Sequence, residues 1–139
     1  MSRLFTIGYE RAAFEAFVAT LAHAGVTVLV DVRINPHSRR REYARKHLDA
    51  NLDEHGIRYE SWTELGTPRP AMNAAKGGDR ATFERLYREY LETDTARDAL
   101  AELAALAARE TVCLMCYERD PRVCHRSLIT ETLRREYGS

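Results

Sequence analysis

Short apolar runs alternate along this chain with longer segments in which apolar residues recur at helical spacing, the grammar of an α/β protein. Leu4 to Tyr9 reads as a first strand. Phe14, Phe17, Val18 and Leu21 then fall on one helical face, and Gly25 ends that helix. Val26 to Val32 is apolar on both faces and rich in β-branched residues, as a central strand covered by helices on both sides would be. Tyr43, Leu48 and Leu52 mark a helix running to His55 and closed by Gly56. Ile57 to Ser61 alternates apolar with polar positions, which predicts a third strand at an exposed edge.

From Glu64 to Asp79 the pattern breaks, with Pro68, Pro70, Gly66, Gly77 and Gly78 predicting a long loop, either a lid or binding loop or a plain connection. Phe83, Leu86, Tyr87, Tyr90 and Leu91 then define one helix, and Ala99 to Ala108 an Ala-rich second one. Thr111 to Tyr117 reads as a buried strand, and His125 to Tyr137 as a terminal helix. The expected product is a single three-layer α/β domain over residues 1–139, with a mostly parallel central sheet of four to five strands flanked by helices. No internal repeat or low-complexity tract interrupts it.

Charge narrows the partners. The chain carries 21 basic and 21 acidic side chains, so a nucleic-acid role would have to rest on a local patch. No stretch approaches the roughly 18 apolar residues of a membrane span, and the amino terminus lacks a secretory apolar core, which predicts a soluble, cytoplasmic protein with no membrane partner. Three cysteines without a secretory signal favour reduced thiols, a metal site or a reactive cysteine over a structural disulfide network.

All three cysteines lie near the last strand: Cys113 and Cys116 within it, and Cys124 beyond the charged turn from Glu118 to Pro121. With right-handed crossovers the carboxyl ends of the strands share one edge of the sheet, the edge at which open α/β sheets bind ligands. Tyr9 and Glu10, Asp31 and Arg33, Trp62 and Glu64, and Cys116 and Glu118 would converge there, with Cys124, His125 and Arg126 opening the next helix. For any one of these an alternative use as a cap or turn residue exists. Their convergence is what points to a site.

The chain resembles the domain-of-unknown-function-488 family of small bacterial and archaeal α/β proteins. The residues that carry the likeness are Thr6 to Tyr9, Asp31 to Arg33 with Pro36 and Ser38, Gly56 to Tyr59, Leu65 with Gly66, Cys116 to Glu118, and Cys124 to Arg126. The resemblance implies a single three-layer α/β domain. It brings no settled activity, so chemical roles have to come from the residues.

Cys113 and Cys116 have the spacing of a redox pair, but residues three apart in a strand point to opposite faces, which makes Cys113 a core residue and leaves Cys116 on the face of Glu118. Cys124, in the first turn of a helix with Arg126 and His125 nearby, is the better candidate for an activated thiolate. Phosphatase and sulfurtransferase sites are similar, but here only His125 separates the cysteine from the arginine, too few residues for an anion-cradling loop. The expected enzyme is a cysteine-dependent hydrolase, transferase or redox enzyme with Cys124 as nucleophile or redox-active thiol. Glu118 or Asp31 would act as acid/base or orient an arginine, Arg33 and Arg126 would hold an anionic or phosphate-containing substrate, and Tyr9 and Ser38 would help bind it.

Two alternatives stay open. Cys116, Cys124 and His125 have ligand types suited to zinc or iron, although adjacent Cys124 and His125 would diverge in a regular helix; otherwise no cofactor is expected. Arg33, His37, Arg39, Arg40, Arg41, Arg45, Lys46 and His47 form a basic patch that would hold phosphate or a nucleic-acid backbone. Tyr9, Tyr43, Tyr59 and Trp62 would serve as stacking surfaces beside it.

Overall fold

The computed structural model describes residues 4–36, 38–118 and 124–138, so the charged turn at Arg119, Asp120 and Pro121, and His37 of the basic patch, lie outside the described residues. Four strands, β1 (Leu4–Gly8), β2 (Val28–Asp31), β3 (Arg58–Ser61) and β4 (Val112–Cys116), form one sheet in the order β1-β4-β2-β3. Every pairing is parallel. Among the described residues the sheet is therefore all-parallel with four strands, at the lower end of the expected count; β2 is internal and β3 lies at an edge, as the residue patterns predict.

Six α-helices accompany it among the described residues: α1 (Phe14–His23), α2 (Arg45–Asp53), α3 (Arg69–Lys76), α4 (Arg80–Leu91), α5 (Asp94–Arg109) and α6 (Arg126–Tyr137). Strand alternation divides the core in two. Leu29, Cys113 and Met115 face one side, where Phe17, Val18 and Leu21 of α1 and Leu48 and Leu52 of α2 cover them. Val28, Val30, Val112, Leu114 and Cys116 face the other, under Phe83, Tyr87, Leu100, Leu103, Leu128 and Ile129 from α4, α5 and α6. Helices on both faces explain why β2 and β4 are apolar throughout. Among the described residues no helix is long and apolar enough to cross a membrane.

The predicted loop from Glu64 to Asp79 is mostly structured. A 3₁₀ turn spans Thr63–Leu65, and α3 follows with Pro70 in its first turn. Proline is compatible with that position because the first amides of a helix have no intrahelical acceptor, so prolines that look like loop markers here begin a helix. Gly66 is needed where the turn enters α3: a Cβ there would meet Ile34 Cα at 2.6 Å. The second and fifth helices also differ in extent. A 3₁₀ turn at Arg41–Tyr43 precedes α2, and α5 begins at Asp94, well before the Ala-rich stretch, with the Thr93 hydroxyl accepting from the Ala96 amide. Gly56 ends the α2 segment with a φ of 72°, a conformation that favours glycine.

Topology places the site. Strands β1 and β2 are each followed by a helix on the α1/α2 face, whereas β4, which lies between them, is followed by α6 on the opposite face. Chain direction thus diverges at the carboxyl end of β4, which opens a crevice between neighbouring strand ends.

Candidate functional site

Two groups of side chains meet at that crevice. The first is a buried polar network on the α1/α2 face. Asp31, at the last position of β2, is fully buried, and the guanidinium of Arg33 donates to it from Nε at 2.9 Å and Nη2 at 2.7 Å. The Arg33 amide adds a third bond to Oδ1 at 3.0 Å, so the turn after β2 closes on its own carboxylate. Tyr59 on β3 donates its hydroxyl hydrogen to Oδ2 of Asp31 at 2.5 Å, and Nη1 of Arg33 donates to the Tyr9 hydroxyl oxygen at 3.2 Å. Burial works to lower the Arg33 pKa, but the Asp31 carboxylate outweighs it and the guanidinium is held more firmly protonated than usual. Burial, reinforced by the Asp31 charge, raises the pKa of Tyr59. Tyr9 stacks on Tyr43 at 4.5 Å between ring centroids, and Tyr43 donates to the Ala12 carbonyl, so the phenol facing Arg33 is held from behind.

The second group is built from the end of β4 and the start of α6. A disulfide joins Cys116 and Cys124, whose Cα atoms are 7.8 Å apart; Cys113 is free and buried on the opposite face. The expectation of reduced thiols is thus corrected, because Cys124, just before α6, is bonded to Cys116 at the end of β4. Cys124 and His125 also precede α6 rather than forming its first turn, with His125 as the N-cap residue. Their side chains nonetheless converge: His125 Nδ1 lies 3.3 Å from Cys124 Sγ. The divergence expected for adjacent residues in a regular helix does not apply.

Partners fix the state of His125. Its Nε2 lies 2.8 Å from the carbonyl oxygen of Val32, which can only accept, so Nε2 carries the hydrogen and Nδ1 presents its lone pair to Cys124. Tyr87 packs edge-on against the ring at 5.3 Å. Burial, with help from the Arg126 charge, lowers the His125 pKa to about 4, against opposing contributions from the Val32 bond and Asp31. The imidazole is neutral at physiological pH. Arg126 is fully buried, with Nε 3.5 Å from Cys124 Sγ and Nη2 donating to the backbone oxygen of Glu118. Glu118 is half-buried, with Oε1 3.7 Å from Cys116 Sγ; burial raises its pKa, opposed by a backbone bond and by Arg126.

A cavity of about 500 Å³ opens at this edge, and Tyr9, Arg33, Cys116, Glu118, Cys124 and His125 all line it. Its far wall comes from the segment expected to be a loop: Thr67, Met72, Ala75 and Lys76, with Ile34 and Phe83 completing the apolar part. Sequence pattern alone could have raised Met72 and Lys76 only if α3 had been recognised as a helix, on which residues four apart share a face.

Other expected site residues fall elsewhere. Asp31 lies behind Arg33 and does not line the cavity. Arg126 is behind the sulfurs, and the Ser38 hydroxyl accepts from the Arg40 amide at 3.1 Å, outside the cavity. Arg33 does not belong to the basic patch, being buried on Asp31. Within the patch Arg40 pairs with Glu42 at 3.1 Å and lies over the Tyr43 ring, while Arg45 and Lys46 share a wider, more open hollow of about 820 Å³ with Asp49 and Asp53. Its charge is mixed.

A family model, Domain of unknown function DUF488, matches residues 13–133. The chain therefore belongs to the DUF488 family, a small parallel-sheet α/β protein as its strand order shows. Neither the curated proteins nor the solved structures yielded a match.

Proposed function

We propose that this protein is a cysteine-dependent enzyme acting on a small anionic substrate at the carboxyl edge of its parallel sheet. The observation that carries the reading is the pairing of Cys116 and Cys124 on the wall of a cavity that also presents Arg33 and Lys76. Of hydrolytic, transfer and redox chemistry, a second sulfur within bonding reach of the candidate nucleophile favours the last.

In the reduced form Cys124 would release its proton to solvent and, as a thiolate with Arg126 Nε beside its sulfur, attack one sulfur of a substrate disulfide. One substrate thiolate leaves and takes up a proton. Cys116, as the thiolate, then attacks Cys124 in the mixed disulfide, expels the second substrate thiol and forms the Cys116–Cys124 bond. Two equivalents of a low-molecular-weight thiol restore the dithiol and leave as their own disulfide. Arg33, fixed by Asp31 and Tyr59, would meet the substrate's negative charge, and Tyr9 would orient it.

The test uses an anionic aromatic disulfide, 5,5′-dithiobis(2-nitrobenzoate). Reduced wild-type protein should release two thionitrobenzoate ions per reagent consumed; Cys116→Ser should release one and retain the other as a stable adduct. Retention of the fast reaction in Cys124→Ser would overturn the assignment.

A second reading is favoured by the tight clustering of donor atoms: Cys116, Cys124 and His125 each place one within 4.8 Å of the others. In the reduced protein these side chains would hold zinc or iron.

A further inference from the structure

Several features suit the reduced sulfur-imidazole cluster to a particular kind of metal centre. Two thiolates and a neutral imidazole balance the charge of a divalent ion, so the ligand set and its ion are together uncharged among Cys116, Cys124 and His125, which are 2, 1 and 6% exposed. The supporting shell is in place before any ion arrives. His125 donates Nε2–H to the Val32 carbonyl, the arrangement that aims the other nitrogen of a ligating histidine, and Arg126 Nε points at Cys124 Sγ. The donor atoms of Cys116, Cys124 and His125 lie within 4.8 Å of one another, close enough for all three to reach one ion once the sulfur-sulfur bond is reduced.

The number of ligands decides what such a centre could do. Structural zinc sites close with four protein ligands, whereas catalytic ones keep three and leave a position open. Among the described residues three donors cluster, and all three of these residues line the cavity shared with Arg33 and Lys76.

Resting on the metal-bearing reading of this cluster, we infer that reduced Cys116, Cys124 and His125 form an open three-ligand centre for a soft divalent ion, whose remaining position faces the cavity and takes a small anion held by Lys76 and Arg33. The soft donor set excludes magnesium and calcium, which need oxygen ligands. The disulfide form is the oxidised, metal-releasing state of the same site: both thiolates lose one electron to form the sulfur-sulfur bond, and an added peroxide takes the two electrons to become two hydroxide ions.

Cobalt(II) is the probe, added anaerobically to the reduced full-length protein and followed by its visible and near-ultraviolet absorption. The expected result is one ion per chain with tetrahedral bands and sulfur-to-cobalt charge transfer, lost in Cys116→Ser, Cys124→Ser and His125→Gln and absent from the disulfide form. Thiocyanate or inorganic phosphate should then shift the visible bands, with the apparent anion affinity falling at least several-fold in Lys76→Ala, an exposed position that leaves the cluster intact. Bands that ignore both anions in the wild type, but respond once Glu118→Ala is introduced, would show a site closed by Glu118 and overturn the open centre while keeping the metal. Anion shifts unchanged in Lys76→Ala would overturn the proposed anion pocket. No cobalt uptake by protein with both thiols reduced would overturn the metal reading and this inference together, and the thionitrobenzoate stoichiometry separately decides whether the thiol chemistry stands.

Discussion

Nε2 of His125 donates to the backbone carbonyl of Val32 at 2.8 Å, tying the start of α6 to the end of β2 across 93 residues of sequence. Burial keeps the imidazole neutral, outweighing the bond itself, which favours a protonated ring. The unfolded ring takes up its proton near pH 6.5, the folded one only at about 4. Between those values the unfolded state binds more protons, so stability is lost as pH falls from 6.5 toward 4 and is flat above it. The expected loss is about 3 kcal/mol. Urea unfolding of the disulfide form at pH 7 and pH 4 should show this slope, and it should shrink in His125→Gln.

The ion pair of Asp31 and Arg33 is sealed by Tyr59, so Tyr59→Phe should reveal what one hydrogen bond to a buried carboxylate is worth. Loss of about 1.5–3 kcal/mol is expected. Asp31→Ala should cost more, about 3–5 kcal/mol, because it strands the Arg33 charge in the interior. Chemical denaturation of both variants checks the order. Equal losses would mean that the guanidinium finds water when its partner is removed.

Gly66→Ala should disturb the cavity without touching its chemistry. The new methyl group would meet Ile34 Cα at 2.6 Å and Cβ at 2.8 Å, contacts that only backbone movement relieves. A destabilisation of about 1–3 kcal/mol is expected, measured as a lower urea midpoint with unchanged slope.

Cys113 should be chemically silent. Burial pushes its thiol up to about 12, and it sits on the sheet face away from the cavity. Fully reduced native protein should therefore show two alkylatable cysteines by mass spectrometry, and the third only in denaturant. Rapid native labelling at Cys113 would contradict the packing of β4.

Much of this architecture is legible in the residues. The opposite orientation of Cys113 and Cys116 follows from strand alternation, and the doubly apolar patterns of β2 and β4 mark them as interior strands. The meeting of Tyr9, Arg33, Cys116 and Cys124 follows from strand ends sharing one edge. The wall made by Met72 and Lys76 escaped because Pro68 and Pro70 flank a helix start, a position where proline signals continuation and interruption alike. The convergence of Cys124 with His125 lies at the junction before α6, and a helix boundary is the feature that apolar spacing defines least well. The partnership of Tyr59 with Asp31 required knowing that β3 lies beside β2, information held in the pairing of strands rather than in either strand.

The placement of β4 between β1 and β2 has a consequence for biosynthesis. Leu4 pairs with Val112 and Val28 pairs with the same residue from the other side, so β1 has no neighbour in the sheet until the last strand has left the ribosome. The nascent amino-terminal segment must wait through synthesis of α1 to α5 with an unpaired apolar strand, and sheet closure, burial of both core halves and assembly of the cavity then occur together.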